Sequence, residues 1–388
     1  MRLVGQRGPG LADILRDHVH ELGPLGPDKR RVVRDILDCR TVVLGGHLYR
    51  CDHCARKVSL WNSCLNRHCP KCGSLGQAAW VTARIQDILP GGYIHIIVTV
   101  PDCTHLFFHA APRFVYRLLL KAAAESVLEL CRTRLGFTPA IICVMHTWSQ
   151  KLTFHPHVHC IVSAGGLSLD ETQWITTRKN FFLPHLVLAQ TFRGKFLAFV
   201  KEAQESGQIG LAPDRARALM RVAWSRDWDV NIRTPLAEPA IIIKYLARYT
   251  RKTAFSNSRL VSYRNDEVRF SYKNHKTGKR DVARLPAVEF LARFLRHVLP
   301  RRFVRIRYYG LLAHPVKGEL IKKARALLGA DQRTLAQDDL IKTWRGLYQA
   351  LTGDDPHACP FCERGRLIEV AFVPSARSTR YPISSRAP

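Results

Sequence analysis

Long apolar runs are missing from this sequence of 388 residues, and so is an export signal. No segment reaches the roughly 18 consecutive apolar residues that a membrane-spanning helix needs. The first ten residues include basic ones, but Asp13, Arg16 and Asp17 follow before an apolar stretch can form, which argues against a secretory signal peptide. We therefore expect no membrane partner and a cytoplasmic location.

Acidic residues are scarce, with 31 Asp and Glu against 60 Lys and Arg, so the formal net charge is +29. An excess of this size indicates a polyanionic partner such as nucleic acid. A disordered basic tail is excluded, because 46% hydrophobic and 9% aromatic residues supply enough apolar surface for a packed core. Charge alone also fits a ribosomal or membrane-surface protein.

Internal repeats and low-complexity tracts are also absent, and the length suits two or three domains. Periodicity predicts an α+β fold in which helices back an antiparallel sheet, because a strand, a helix and two further strands follow one another. The predicted strands cover 92–100, 139–148, 157–163, 259–263 and 267–272. The predicted helices cover 11–40 with a break at 23–27, 113–135, 186–206, 237–252, 287–298 and 333–352.

Cysteine is plentiful, with 12 residues, and half of them lie between residues 39 and 72. Without an export signal, this clustering favours reduced thiols that bind metal over disulfides. The pairs Cys51-x-x-Cys54 and Cys69-x-x-Cys72 are separated by fourteen residues, a spacing typical of one tetrahedral zinc. A zinc with four protein ligands has no open position, so we expect it to be structural.

A second zinc site is predicted from the residues that alternate with these pairs. They are Cys39, His47, Cys64 and His68, an order that a cross-braced module with two zinc ions would have. The alternative is that Cys64 and His68 only pack beside the first zinc. Near the C-terminus, Cys359 and Cys362 form half a site, which a histidine such as His357 completes, a second chain completes, or nothing does.

A further metal site is indicated by His157-Val158-His159. On a strand, both imidazoles project from one face, where they can bind a divalent metal and leave positions for substrate oxygens. A hairpin centred near residues 151–152 would place His146 opposite His157, so His146 is the first candidate for a third ligand and Gln150 the second. The alternative is a pair of histidines buried in the core.

Two tyrosines stand four residues apart, at Tyr245 and Tyr249, on a predicted helix with cations around them. Residues at this spacing share one helix face. A phenol has a pKa near 10 and needs activation, which cations and a bound metal provide. Two such phenols allow two successive attacks on phosphodiesters, whereas an amphipathic core helix edged with tyrosines is the alternative.

These motifs, in this order, resemble the rolling-circle insertion-sequence transposases of the two-tyrosine HUH class, the IS91 type with the ISCR elements as relatives. The resemblance covers nearly the whole chain. The residues that carry it are Cys39-Arg-Thr, Gly45-Gly46-His47, Asn62-Ser63-Cys64, Arg67-His68-Cys69-Pro70-Lys71-Cys72, Leu89-Pro90, Val100-Pro101, His146-Thr147-Trp148-Ser149-Gln150, His155-Pro156-His157-Val158-His159, Tyr245-Leu-Ala-Arg-Tyr249, Arg305-Ile-Arg-Tyr-Tyr-Gly310 and Cys359-Pro-Phe-Cys362.

The resemblance implies a DNA transposase in which the histidines hold Mg²⁺ or Mn²⁺ and zinc is structural. A tyrosine attacks the scissile phosphate, which gives a 5′-phosphotyrosine and a free 3′-hydroxyl, and the other tyrosine resolves the transfer; the order of the two stays open. The partners would be single-stranded element ends and target DNA, at the bacterial nucleoid. The expected regions are 1–38 helical, 39–90 zinc-binding, 91–255 HUH nuclease, 256–352 basic and DNA-binding, and 353–388 a tail with the last CxxC.

Basic residues follow the paired tyrosines and predict the path of the DNA. Tyr263, Phe270 and Tyr272 are interleaved with them, which suits stacking on unpaired bases. The candidate phosphate-binding residues are Lys244, Arg248, Arg251, Lys252, Arg264, Arg269 and Lys273. Two other functions fit the sequence: a replication initiator or relaxase with the same HUH chemistry, and a zinc-dependent DNA-binding regulator without catalysis.

Overall fold

The computed structural model describes residues 8–72, 88–177, 182–236, 253–274, 277–329, 349, 355–362 and 364–377. Helices and antiparallel sheets are mixed along the chain, which confirms the predicted α+β class. Among the described helices, none is both long and apolar enough to cross a bilayer. The predicted helix at 237–252 and almost all of the predicted helix at 333–352 lie outside the described residues.

The strands and helices are numbered along the described chain. The strands are β1 (Gly46–Cys51), β2 (Lys57–Trp61), β3 (Tyr93–Thr99), β4 (Phe137–Trp148), β5 (Phe154–Ser168), β6 (Trp174–Thr176), β7 (Val230–Leu236), β8 (Leu260–Arg264), β9 (Glu267–Lys273), β10 (Arg280–Pro286), β11 (Ile306–Gly310) and β12 (Leu367–Val373). The helices are α1 (Leu11–His18), α2 (Pro27–Asp38), α3 (His105–Ala110), α4 (Pro112–Leu130), α5 (His185–Glu205), α6 (Pro213–Ser225), α7 (Ala287–Arg296) and α8 (Lys317–Leu327).

The central sheet has the strand order β11-β4-β5-β3-β7, and β6 pairs with the far end of β5. Every pairing is antiparallel. Its middle is the long hairpin of β4 and β5, in which His146 pairs with His157, as the predicted turn position requires. The sheet therefore places the chemistry-bearing histidines on adjacent strands.

The two faces of this sheet have different covers, because side chains alternate between them along each strand. On one face, residues such as Ile96, Cys143 and Cys160 pack under α4 and α5. On the other face, Ile142 and Ile161 pack with α8. The alternation places the histidines of β4 and β5 on the face opposite α4 and α5.

A second core joins the N-terminal helices to a small sheet. The strands β8, β9 and β10 form this sheet, and α1, α2 and α7 cover its inner face, where Val268, Phe270 and Phe290 are fully buried. Trp148 and Leu152, at the tip of the β4–β5 hairpin, belong to the same core. The regions predicted as 1–38 and 256–352 thus share a hydrophobic core.

A third sheet combines both ends of the chain, in the order β12-β1-β2. Residues of β12 pair with β1 from Gly46 opposite Val373 to Cys51 opposite Leu367. The tail predicted at 353–388 therefore contributes a strand to the region predicted at 39–90. The five predicted regions interleave in space, and the division of the chain into these regions stays a prediction.

Candidate functional site

Three histidines form a cluster on the face of the central sheet opposite α4 and α5: His146 on β4, and His157 and His159 on β5. We call this the histidine cluster. One ring nitrogen of each lies within 4.8 Å of one from each of the others. The ring centroids are 4.7 Å apart for His146 and His159, and 4.9 Å apart for His157 and His159. The strand register explains this convergence, since His146 and His157 face each other and His159 is two residues further on.

Hydrogen bonds orient two of these rings. His157 Nδ1 donates to the carbonyl oxygen of His155 at 2.7 Å, which leaves its Nε2 for a ligand role. His159 Nδ1 lies 2.9 Å from Nε2 of His95, a buried residue of the neighbouring strand β3. Burial, together with the nearby Arg233 cation, lowers the pKa of His95 to about 3, so His95 is neutral and its Nε2 can accept a hydrogen bond from His159 Nδ1–H.

The donor set fits a divalent metal. Metal-binding histidines usually donate their second N–H to a carbonyl or a similar group, which fixes the tautomer, and the contacts of His157 and His159 have this form. Three donors leave further positions for water or substrate, unlike a closed structural site. Gln150, the other candidate for the third ligand, lies in the turn beyond the pair of Trp148 and Phe154, whereas His146 lies inside the cluster.

Side chains from outside the β4–β5 hairpin form hydrogen bonds with the turn that sets its register. The carbonyl oxygens of three consecutive turn residues accept hydrogen bonds from residues that flank β8 or lie in and after α7. Gln150 accepts from Arg259, Lys151 from Arg293 at 3.2 Å, and Leu152 from His297 Nε2 at 3.1 Å. We call these three donors the turn clamp.

Burial lowers the pKa of His297 to about 4, so this ring is neutral. Its Nδ1 lies 3.2 Å from the hydroxyl of Thr147, a residue of β4 next to His146. The clamp thereby supports the strand end that carries His146.

Four cysteines form what we call the inner cysteine cluster: Cys39, Cys64, Cys69 and Cys72. The Sγ atoms of Cys39 and Cys72 are 3.3 Å apart, and those of Cys64 and Cys72 are 3.6 Å apart. Four thiolates around zinc, with Zn–S bonds of about 2.3 Å, have sulfur separations of about 3.8 Å. Cys39 and Cys69 are buried in the core that also holds Trp148.

A second set, the terminal cysteine cluster, contains Cys51, Cys54, Cys359 and Cys362. Cys51 and Cys362 have their Sγ atoms 3.7 Å apart, and so do Cys54 and Cys359. The two CxxC pairs come from opposite ends of the chain and meet where β12 lies beside β1.

The predicted partition of zinc ligands is wrong. Cys51 and Cys54 do not join Cys69 and Cys72, because the β1–β2 hairpin carries the first pair to the tail strand β12. Cys69 and Cys72 instead meet Cys39 and Cys64.

The two histidines of the predicted second zinc site have other partners. His47 Nδ1 lies 2.8 Å from Oε1 of Glu369. His68 is buried and accepts a hydrogen bond at Nε2 from the backbone N–H of Leu299. Neither histidine belongs to a cysteine cluster.

The basic residues of the small sheet lie on its outer face, as alternation requires. Arg269 and Lys273 of β9 are exposed, and they stand directly opposite Arg284 and Arg280 of β10. We call the exposed set the basic face; it contains Arg264, Arg269, Lys273, Arg280 and Arg284. One acidic partner is present, since Glu267 pairs with Arg269.

The predicted stacking aromatics do not lie on this face. Phe270 is fully buried between Phe255 and Phe290, and Tyr272 is buried with its hydroxyl donating to Asp281. Tyr263 is half-buried and donates its hydroxyl to Asp17. For Phe270 and Tyr272 the stacking prediction is wrong, because the alternation of β9 that exposes Arg269 turns their rings into the core.

Other predicted site residues lie outside the described part of the chain. These are the two tyrosines and the cations of the helix predicted at 237–252: Lys244, Tyr245, Arg248, Tyr249, Arg251 and Lys252. Sequence reasoning also missed His95 and the turn clamp. His95 could have been found from the alternation of side chains along the apolar strand predicted at 92–100, which packs in the same sheet. His95 shares a face of that strand with Tyr93, whereas Ile94 lies on the other face.

Comparison with known proteins gives the context for these sites. The family described as "Transposase zinc-binding domain" matches residues 12–100, and the family described as "Putative transposase" matches residues 140–319. No solved structure matches the chain.

Two relatives match much of the chain. A Sinorhizobium fredii protein named "Putative transposase y4qJ" is 36% identical over 382 residues, which cover 95% of this chain and 96% of the relative. The "Transposase for insertion sequence element IS801" of Pseudomonas savastanoi pv. phaseolicola is 29% identical over 321 residues, which cover 79% of this chain and 75% of the relative. The chain therefore belongs to the insertion-sequence transposases of the IS91 type, a family whose members cut and transfer DNA strands and carry a zinc-binding domain.

Proposed function

We propose that this transposase cuts single-stranded DNA by the HUH mechanism, with a tyrosine as nucleophile, in rolling-circle transposition. The observation that carries the proposal is the histidine cluster, in which three imidazoles converge on the face of the sheet opposite α4 and α5. A non-catalytic regulator would have no need of three convergent donors with an open coordination position. The two tyrosines that follow β7 in the sequence supply the nucleophiles.

The histidine cluster would hold a divalent ion, which acts as a Lewis acid on the scissile phosphate. His157 and His159 present Nε2 because their Nδ1 atoms are engaged with His155 and His95. Imidazole suits transition metals better than Mg²⁺, so this donor set favours Mn²⁺ over Mg²⁺. The turn clamp keeps His146 in register with its partners on β5.

The covalent step exchanges one phosphate ester for another. The phenolate oxygen of Tyr245 or Tyr249 attacks phosphorus, the bond from phosphorus to the 3′ oxygen breaks, and that oxygen takes up a proton in place of the one the phenol lost. The 5′-phosphotyrosine keeps the ester bond, so a 3′-hydroxyl can later displace the tyrosine without ATP. A second tyrosine allows the same exchange on another strand.

The basic face would bind the DNA backbone. Like charges directly opposite each other on neighbouring strands destabilise a sheet, and here Arg269 faces Arg284 while Lys273 faces Arg280. A phosphate backbone lying across β9 and β10 would neutralise both pairs. The turn clamp connects this unit to the hairpin that bears the histidine cluster.

The inner cysteine cluster would hold the zinc of the zinc-binding domain. Its four sulfurs fit a closed tetrahedral site, and its position in the core beside α1 and α2 suits a structural ion. This zinc would support the second core, which also contains the hairpin tip.

The mechanism is tested by trapping covalent adducts between the full chain and a labelled single-stranded oligonucleotide of the element end, with Mn²⁺. We expect adducts with the native protein, and none with the double variant Tyr245→Phe, Tyr249→Phe. Tyr116→Phe is the matched control, because this tyrosine is buried in α4 on the opposite side of the sheet. Adducts that persist in the double variant would refute the tyrosine assignment.

The DNA-binding role of the basic face is tested by the salt dependence of affinity for the same oligonucleotide and its duplex. Replacing Arg284 with Ala should weaken binding to all sequences and reduce the slope of log affinity against log salt by about 1. Arg221→Ala, an exposed arginine on α6, is the control. An unchanged slope for Arg284→Ala would remove the basic face from the interface.

A further inference from the structure

The terminal cysteine cluster is built from residues that local sequence spacing does not connect. Cys54 and Cys359 are 305 positions apart, yet their sulfurs are 3.7 Å from each other. The zinc-binding family match ends at residue 100, so Cys359 and Cys362 lie outside it. Four sulfurs within 4.8 Å, with separations near 3.7 Å, have the spacing of a zinc tetrahedron.

Backbone N–H groups point at the sulfurs in both CxxC turns. Cys51 Sγ accepts a hydrogen bond from Cys54 N–H at 3.4 Å, and Cys362 Sγ accepts from the N–H groups of Arg364 and Gly365. A neutral thiol is a weak acceptor, whereas a thiolate in a metal site gains from such bonds. These N–H groups would stabilise the thiolate forms of Cys51 and Cys362 in a metal site.

The backbone approaches the cluster closely at Gly365. Gly365 lies directly against Cys51, and a Cβ at this glycine would overlap the Cys51 sulfur. Asp52 holds the opposite strand in two ways: its N–H donates to the carbonyl oxygen of Arg366 at 3.0 Å, and its Oδ1 accepts from Arg366 N–H at 2.7 Å. Arg56 lies over the ring of Phe361, 5.0 Å from its centroid.

The tail is fastened to the N-terminal region beyond the cluster as well. Arg377 forms ion pairs with Asp35 and Asp38 of α2, and the backbone N–H of Ala376 donates to the carbonyl oxygen of Val43. The tail therefore follows one continuous path across residues 35–51, and the cysteine cluster lies at one end of this path.

A disulfide does not explain the cluster. The cysteines are free thiols, and their separations of 3.7 Å far exceed the S–S bond of about 2.05 Å. Four cysteines also satisfy one tetrahedral ion, so no histidine and no second chain is needed to complete the half site at Cys359 and Cys362.

We propose that Cys51, Cys54, Cys359 and Cys362 bind a second structural zinc, which joins the C-terminal tail to the N-terminal zinc-binding region. The ion closes a loop of some 300 residues. Closing this loop costs conformational entropy, which the free energy of zinc binding offsets. The site is independent of the nuclease chemistry. A chain without its tail lacks half of the ligands, so only the full-length protein completes it.

The test is the zinc content of the purified full chain, measured by mass spectrometry after exchangeable metal has been removed. We expect two zinc ions per chain in the native protein. The pair variant Cys359→Ser, Cys362→Ser should retain one, the pair variant Cys51→Ser, Cys54→Ser should retain one, and the variant with all four changes should still retain one. Cys103→Ser, a half-buried cysteine outside both clusters, is the control and should retain two.

Two results would overturn the proposal: one zinc in the native protein, or loss of both ions when the two pairs are changed together. Where a variant fails to fold, X-ray absorption at the zinc edge of the native protein replaces it. Two sites with four cysteines each predict four sulfur neighbours and no nitrogen, whereas a site containing His47 or His68 would add nitrogen. Neither readout uses DNA, so its outcome is separate from that of the nuclease proposal.

Discussion

The histidine cluster and the inner cysteine cluster are both sets of metal donors, but they differ in number, chemistry and position. The histidine cluster has three nitrogen donors on one face of the sheet, whereas the inner cysteine cluster has four sulfur donors with Cys39 and Cys69 in a hydrophobic core. Three donors leave room for a phosphate oxygen, and four sulfurs leave none. On this ground we propose that the histidine cluster serves the reaction and the inner cysteine cluster maintains the fold.

The two clusters are also connected. The ring of His146 stacks on Trp148 at a centroid distance of 4.6 Å, and Trp148 is buried in the core that holds Cys39 and Cys69. The closed site therefore supports the strand end on which the open site is built. Changes at the two clusters should separate activity from stability, and the predictions below test this separation from the largest effect to the smallest.

Removing the imidazoles should abolish cleavage and leave the fold intact. For the double variant His157→Ala, His159→Ala we expect the rate of adduct formation to fall by at least about 10³-fold, since Lewis-acid stabilisation contributes several kcal/mol. Zinc content should remain that of the native protein. The exposed His314→Gln is the control. A double variant that still forms adducts at the native rate would show that the cluster is not the reaction centre.

Removing one sulfur of the inner cysteine cluster should reduce both zinc content and stability. Cys39→Ser should lose one zinc and several kcal/mol of unfolding free energy, because zinc binding to such a site is coupled to folding and Cys39 is fully buried. Zinc analysis and urea unfolding measure both, with Cys103→Ser as reference. Retention of native zinc content by Cys39→Ser would contradict the assignment of this cysteine.

Changing the partner of a histidine ligand should have an intermediate effect. His95→Ala removes the acceptor that lies 2.9 Å from His159 Nδ1. Loss of such a partner typically weakens metal affinity by about 10–100-fold, so the Mn²⁺ concentration for half-maximal adduct formation should rise by that factor. His95→Gln, which keeps an acceptor, should recover much of it. Equal Mn²⁺ dependence in all three proteins would argue against this positioning role.

Acid should weaken the turn clamp through His297. The pKa of this residue is about 4 in the folded protein against an ordinary value of 6.5, because burial disfavours the charged ring. The unfolded chain therefore binds the extra proton first, and stability is lost as the pH falls from about 6.5 towards 4. The contribution lost at pH 5 is about 2 kcal/mol relative to pH 7.5.

The measurement is urea unfolding at these two pH values. His297→Gln keeps a donor for the Leu152 carbonyl and does not titrate, so its loss of stability between pH 7.5 and 5 should be smaller by about this amount. An identical pH dependence in both proteins would remove His297 from the acid response.

How well sequence predicts this molecule depends on the range of the contacts involved. His146 opposite His157 was predictable because one hairpin turn fixes the register of both strands. The CxxC pairs were predictable for the same reason, since each is a single turn. Which CxxC pairs bind the same ion was not predictable, because this depends on the pairing of β12 with β1, two strands separated by most of the chain.

A numerical signal for the correct partition was nevertheless present. Cys39, Cys64 and the three CxxC pairs make eight sulfurs, enough for two complete sites without a histidine. The aromatic residues of β9 illustrate another limit: interleaved Arg and Tyr or Phe predict both a stacking surface and an amphipathic strand, and burial of Phe270 and Tyr272 selects the strand. Helix α6 and strands β10 and β11 were missed because basic residues interrupt their apolar pattern.

The central claim is that an open histidine site performs the reaction while closed cysteine sites maintain the fold. The most direct measurement is adduct formation on a single-stranded element end after brief treatment of the full chain with a chelator, with zinc content determined on the same sample. We predict that adduct formation stops, that the zinc content stays at two per chain, and that Mn²⁺ alone restores activity. Adduct formation that continues after chelation, or recovery that requires zinc to be replaced, would contradict the claim.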